Sequence, residues 1–222
     1  MKRWFDWLAR RRTPSRSRLR ERLHGYPPCD SPHAGPAFRW TDAQARENLS
    51  HLLAVRAQRL AHLVTWLDAE GIDARPLLDG GEWKPVLEAL HRWANDTWPA
   101  AHDPRIGTHG VWDRTSYRGD EVVYALTFDL ALLIGEAVIR RDPRYRWDVN
   151  FDEVDGRDGM ASYRRVVLCA DDPDSPRGAP WTEDVEGLVV HRYLHPTWVS
   201  DRLLNGWAQL VQECLARAPD PG

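Results

Sequence analysis

Residues 120–141 read DEVVYALTFDLALLIGEAVIRR, and this stretch decides the fold. Val122, Val123, Leu126, Phe128, Leu130, Leu132, Leu133, Ile134, Val138 and Ile139 surround a helical axis, and a helix that is apolar all round is one that other elements bury. Pro143 ends it. No run of 18 apolar residues occurs here or elsewhere in the chain, so the reading is a core helix and not a membrane span. Asp129 and Glu136 stand seven residues apart on nearly the same side of this helix, where a carboxylate must be paired, hydrogen-bonded or functional. An ion pair from Glu136 to Arg140, and one from Asp129 to an arginine of another helix, is the structural expectation.

Downstream, residues 145–151 alternate as a half-buried strand should, and residues 164–170 make a second strand around Val166, Val167 and Leu168. The Asp- and Gly-rich segment 152–160 reads as the connecting loop, and 171–176 as a turn. Two helices finish the chain, 183–194 capped near Thr182 and closed by Pro196, and 199–216. Upstream, Thr41 or Asp42 caps a helix whose apolar residues keep a 3.6-residue period until Gly71, as one helix or as two joined near residues 55–57. Gly80 and Gly81 precede a shorter helix that has Pro85 in its first turn and is stopped by Pro99; a loop of about twenty residues follows. This order gives a mainly helical α+β single domain with a small antiparallel β unit in the C-terminal half.

Charge is distributed unevenly. Residues 1–25 carry nine Lys/Arg against two Asp/Glu, whereas 148–186 carries eleven acids against four bases. Residues 1–37, rich in Arg and Pro, read as a disordered basic arm and linker ahead of a globular domain 38–222. Trp4, Phe5, Trp7 and Leu8 share one helical side among arginines, so residues 1–12 are the place for a weak contact with an anionic membrane. The acidic body argues against specific nucleic-acid binding. Lysine occurs only at Lys2 and Lys84, against 28 arginines, a bias of GC-rich bacterial genomes. Three cysteines, Cys29, Cys169 and Cys214, match neither a zinc site nor a disulfide framework and favour a reducing compartment, the cytoplasm.

Candidate chemistry is sparse. His191 and His195 have the i, i+4 spacing that can bind zinc, but Arg192 replaces the glutamate of a zincin and no third ligand is in view, so neither metal nor cofactor is expected. Residues 152–159 fail the calcium-loop pattern at Val154 and Gly156. Cys169 reads as core. Two sets of residues remain. Asp129, Glu136, His191 and His195 would serve a metal- or nucleotide-dependent hydrolase. Asp152, Glu153, Asp155, Asp158, Asp171, Asp172 and Asp174 would form an acidic face for a basic protein partner, because charge complementarity speeds encounter and excludes wrong partners.

The spacing of residues 48–49, 59–60 and 71–73, of Leu90-His91-Arg92-Trp93-Ala94 with Trp98-Pro99, of 119–124, of Leu133-Ile134-Gly135-Glu136 running into Tyr145-Arg146-Trp147, and of 156–165 resembles small bacterial proteins of accessory gene sets, including the immunity partners of secreted toxins. The likeness spans about 40–210 and implies a class without assigning roles to residues. The leading expectation is therefore a non-enzymatic cytoplasmic protein-binding module that neutralises a basic toxin. A hydrolase, or a scaffold tethered to the inner membrane face by the arm, are the alternatives.

Overall fold

The computed structural model describes residues 18–172, 175, 180–196 and 206–217. Residues 1–17, with the amphipathic segment 4–8, lie outside the described residues, as do Asp174 and residues 199–205 of the last expected helix. The long helices stand where periodicity placed them. Helix α1 is Arg18–Leu23, α2 Asp42–Asp68, α3 Arg75–Leu78, α4 Lys84–Ala101 and α5 His109–Trp112. A 3-10 turn, Gly119–Val122, leads into the central α6, Val123–Ile139. Strand β1, Arg146–Val149, is followed by α7, Glu153–Asp158, and by β2, Val166–Ala170. Strand β3, Trp181–Glu183, then α8, Val185–Leu194, and α9, Gly206–Ala216, complete the described chain. The protein is α+β and mainly helical, with a small antiparallel sheet in its C-terminal half.

Helix α2 is one unbroken helix, started by a capping box in which Gln44 N donates to Thr41 Oγ1 (3.2 Å) and Thr41 N to Gln44 Oε1 (2.9 Å). Helix α4 continues through Pro99 to Ala101, so that proline lies in its last turn and does not stop it. Helix α6 is buried along almost its whole length and packs against α2, α3, α8 and α9. The stretch Gly119–Ile139 is long and apolar enough to cross a membrane by length and composition, yet 89% of its apolar 18-residue window is buried inside the protein. Gly135 is required because a Cβ there would overlap the Trp147 ring. Around α4, Trp66, Trp93, Trp98 and Trp207 form a chain of edge-on or tilted rings with centroids 5.7 to 6.1 Å apart, sealing α2, α4 and α9 together.

The sheet order is β1-β2-β3, antiparallel throughout, with Arg146 opposite Cys169, Val149 opposite Val166 and Ala170 opposite Trp181. The three-residue β3 was not anticipated, being too short to establish alternation. The segment expected as a loop between β1 and β2 contains α7 instead: Asp152 caps it by accepting from Val154 N (2.7 Å), and Gly159 ends it at φ 69°.

The boundary expected at 37/38 is displaced, because the chain is part of the folded body from residue 18 onward. Leu19, Leu23, Tyr26 and Cys29 are buried in the core. Their neighbouring arginines are bound as well. Arg20 donates to the carbonyls of Ala101 (3.3 Å) and His102 (2.9 Å) at the end of α4, and Arg22 donates to Ala69 O (3.3 Å) and pairs with Glu70 at the end of α2. A helix C-terminus leaves carbonyls unsatisfied and favours cations, so these basic residues act as caps supplied from elsewhere in the chain. All three cysteines are free and buried, and burial pushes each thiol up to about 12.

Candidate functional site

The structure separates the sequence-predicted residues into three places. Asp129 is completely buried and held by Tyr26 Oη (2.6 Å) and by Arg59, whose Nη2 donates at 2.8 Å. Burial raises its carboxyl to about 6, while Arg59 and Tyr26 pull it back down, so it is ionised at neutral pH. Arg59 also donates to Pro28 O (2.9 Å) and Pro27 O (3.4 Å), fastening the segment before α2 to the core. Glu136 accepts from Trp147 Nε1 (3.0 Å) and lies 3.5 Å from Arg56 and 4.0 Å from Arg140. Both carboxylates thus have the cationic partners that their burial requires.

The described acidic residues fall into two groups along the sheet. Antiparallel pairing sends α7, with Asp152, Glu153, Asp155 and Asp158, to the Val149/Val166 end of the β1–β2 pair, and Asp171 and Asp172 to the opposite end. At about 3.4 Å per residue the two groups stand roughly 10 Å or more apart along the strands. Several are engaged locally: Asp152 as the cap, Asp155 accepting from Asn150 Nδ2 (2.7 Å), and Asp171 paired with Arg146 (3.0 Å).

Beside the start of β2 lies a pocket of about 810 Å³, open space at its mouth included. One wall is the segment 29–40, which up to residue 37 has the composition of a linker. Helices α2 and α6 and strand β1 supply Asn48, Leu52, Phe128 and Trp147, and the far wall carries Trp112, Asp113, Tyr117, Arg165 and Glu186. Arg165 is the hub. Its Nη2 donates to Glu186 Oε2 (2.6 Å), its Nη1 lies 4.0 Å from Asp113, its Nε 3.9 Å from Asp184, and its guanidinium stacks 4.0 Å above the Trp112 ring. The second oxygen of Glu186 accepts from Trp112 Nε1 (3.1 Å) and Tyr117 Oη (3.2 Å).

Electrostatics follow from this packing. Burial works to discharge Arg165, but Glu186 and Asp184 outweigh it and raise the guanidinium above its ordinary value. Burial, followed by the charge of Glu186, holds the Tyr117 phenol far above its usual range, so it stays a donor. Burial also raises Asp184. Tyr117 (φ 54°) and Arg164 (φ 63°), the residue before Arg165, adopt the left-handed conformation, which costs a non-glycine residue about 1–2 kcal/mol. Such strain persists where the surroundings dictate it, and both positions adjoin the pocket wall. Glu121 fixes the first by accepting from Thr115 Oγ1 (3.1 Å) and Ser116 N (2.8 Å); Trp40 O and Asp42 fix the second through the Arg164 side chain (2.6 and 2.9 Å).

His191 and His195 sit elsewhere, at the end of α8, with ring centroids 4.5 Å apart and with His109 of α5 beside both. Burial lowers the pKa of each, assisted at His191 by His195 and His109 and at His195 by His109 and His102. Of the four residues of the hydrolase reading, Asp129 lies at the α2–α6 interface, Glu136 against the Trp147 indole, and the two histidines beside His109.

Sequence reasoning missed Arg165, Glu186, Trp112, Asp113 and Tyr117. The one local signal was an arginine pair opening an apolar strand, which is ambiguous until α8 and α5 are in place. No protein-family model, curated protein or solved structure matches the chain.

Proposed function

We propose that the protein is a non-enzymatic binding module for a basic partner, and that its recognition element is the Arg165 pocket, not the acidic residues of α7 and 171–172. The observation that carries this reading is a single guanidinium, Arg165, flanked by Asp113 and Glu186 in the aromatic pocket wall and by Asp184 outside the pocket lining. The surplus negative charge favours a cation, and indole and phenyl faces attract ammonium and guanidinium groups. The rigid hydrogen-bond set about Glu186 favours binding by keeping the cost of ordering the site low. An immunity protein that receives a basic side chain of its toxin is the most concrete form of such a module.

The test is a titration of the labelled protein with Ac-Gly-Arg-Gly-amide and with its Glu counterpart, following the indole N–H resonances of Trp112 and Trp147. The expected outcome is saturable movement of both indoles with the Arg peptide alone. Asp113→Asn should weaken binding about fivefold, the loss of a ~1 kcal/mol rim interaction. Equal responses to both peptides, or none at these indoles, would overturn the reading.

A further inference from the structure

The histidines at the end of α8 form a constellation that the i, i+4 pair alone did not reveal. His109 on α5, 82 residues before His191, brings a third imidazole, and one ligand atom from each of the three lies within 4.8 Å of the others. The backbone supports this grouping. His195 N donates to His191 O (3.1 Å), which preserves the helical turn that puts both rings on one side of α8. Arg192, standing between them, is buried and donates from Nη1 to His195 O (2.8 Å) and from Nε to Asn95 Oδ1 (2.7 Å), anchoring the terminal turn to α4. Thr108 caps α5 by accepting from Val111 N (3.3 Å), fixing the residue before His109.

We infer that His109, His191 and His195 form a binding site for a borderline divalent transition-metal ion of the Zn²⁺ or Co²⁺ type. Three neutral nitrogen donors with no carboxylate among them suit such ions and disfavour Mg²⁺ and Ca²⁺, which take oxygen ligands. A tetrahedral ion held by three imidazoles keeps its fourth position for water or an external ligand. His109 is exposed and the other two are partly so, giving an ion direct access from solvent. Closing the donors around an ion from 4.8 Å requires only side-chain rotation and a small approach of α5 to α8, since metal–nitrogen bonds are about 2.0–2.1 Å.

The experiment is a Co²⁺ titration of the full chain, free of any affinity tag, read by the visible absorption of tetrahedral cobalt, with a parallel Zn²⁺ competition. One cobalt per chain with that spectrum, displaced by Zn²⁺, is expected. His109→Ala removes an exposed side chain and leaves the fold intact by circular dichroism; it should weaken Co²⁺ binding by roughly 100-fold, since even the loss of supporting groups around a metal costs 10–100-fold. Thermal stabilisation by Zn²⁺ should vanish in the same variant. Absence of a tetrahedral spectrum, or cobalt binding that survives His109→Ala unchanged, would overturn the assignment.

Discussion

Arg59 performs two tasks through one guanidinium. It neutralises the buried Asp129 carboxylate and it holds the carbonyls of Pro27 and Pro28. Removing one partner of a buried pair strands the other charge and costs about 3–5 kcal/mol. The pH dependence follows from Asp129, whose folded-state value of about 6 lies above its ordinary 3.8. A carboxyl raised in this way favours the folded state most when protonated, and that contribution is lost as pH rises from about 4 through 6. In Arg59→Met the carboxyl rises further. Urea unfolding should therefore find the variant destabilised by about 3–5 kcal/mol at pH 8, with a much smaller deficit at pH 5; an equal deficit at both pH values would mean that Asp129 is not the charge left behind.

Elements with sustained periodicity were legible in the sequence, and those without it were not. Helices α2, α4 and α6 declare themselves through apolar residues repeated over several turns and through the caps at Thr41 and Pro85. Helix α1 has only six residues, so Leu19 and Leu23 make a single apolar step hidden among arginines, and its burial is visible only once α2 and α4 offer their carbonyl ends. Helix α7 carried the correct boundary residues, Asp152 and Gly159, around an interior with no apolar stripe. The site was the least legible part, because Trp112, Arg165 and Glu186 belong to three separate elements whose meeting is a tertiary event. One consequence of α1 is measurable. Leu23→Ala empties a buried site and should lower stability by about 2–5 kcal/mol; a cost near zero in chemical denaturation would return the segment to the role of a solvated linker.

At the scale of the whole molecule, α6 organises everything else. Helices α2, α3, α8 and α9 pack on it, the pocket opens beside its Phe128–Leu132 face, and Gly135 admits the indole that joins it to the sheet. The pocket and the histidine group both draw on α5 and α8, Trp112 and Glu186 serving the one and His109 and His191 the other. The charges read from the sequence take separate roles in the fold: Arg20 and Arg22 close helix ends, while Asp184 and Glu186 of the acidic stretch join Asp113 around Arg165.

The three buried thiols give this architecture an internal clock. Cys29 belongs to the pocket wall, Cys169 to the central strand of the sheet and Cys214 to α9. Each sulfur stays protonated and shielded until its own region opens, so an alkylating reagent marks the chain in the order in which its parts come undone. If the pocket wall opens independently, mass spectra taken during slow alkylation under native conditions will pass through a singly modified species carrying its adduct at Cys29. If the molecule opens only as a whole, unmodified chains will give way directly to triply modified ones.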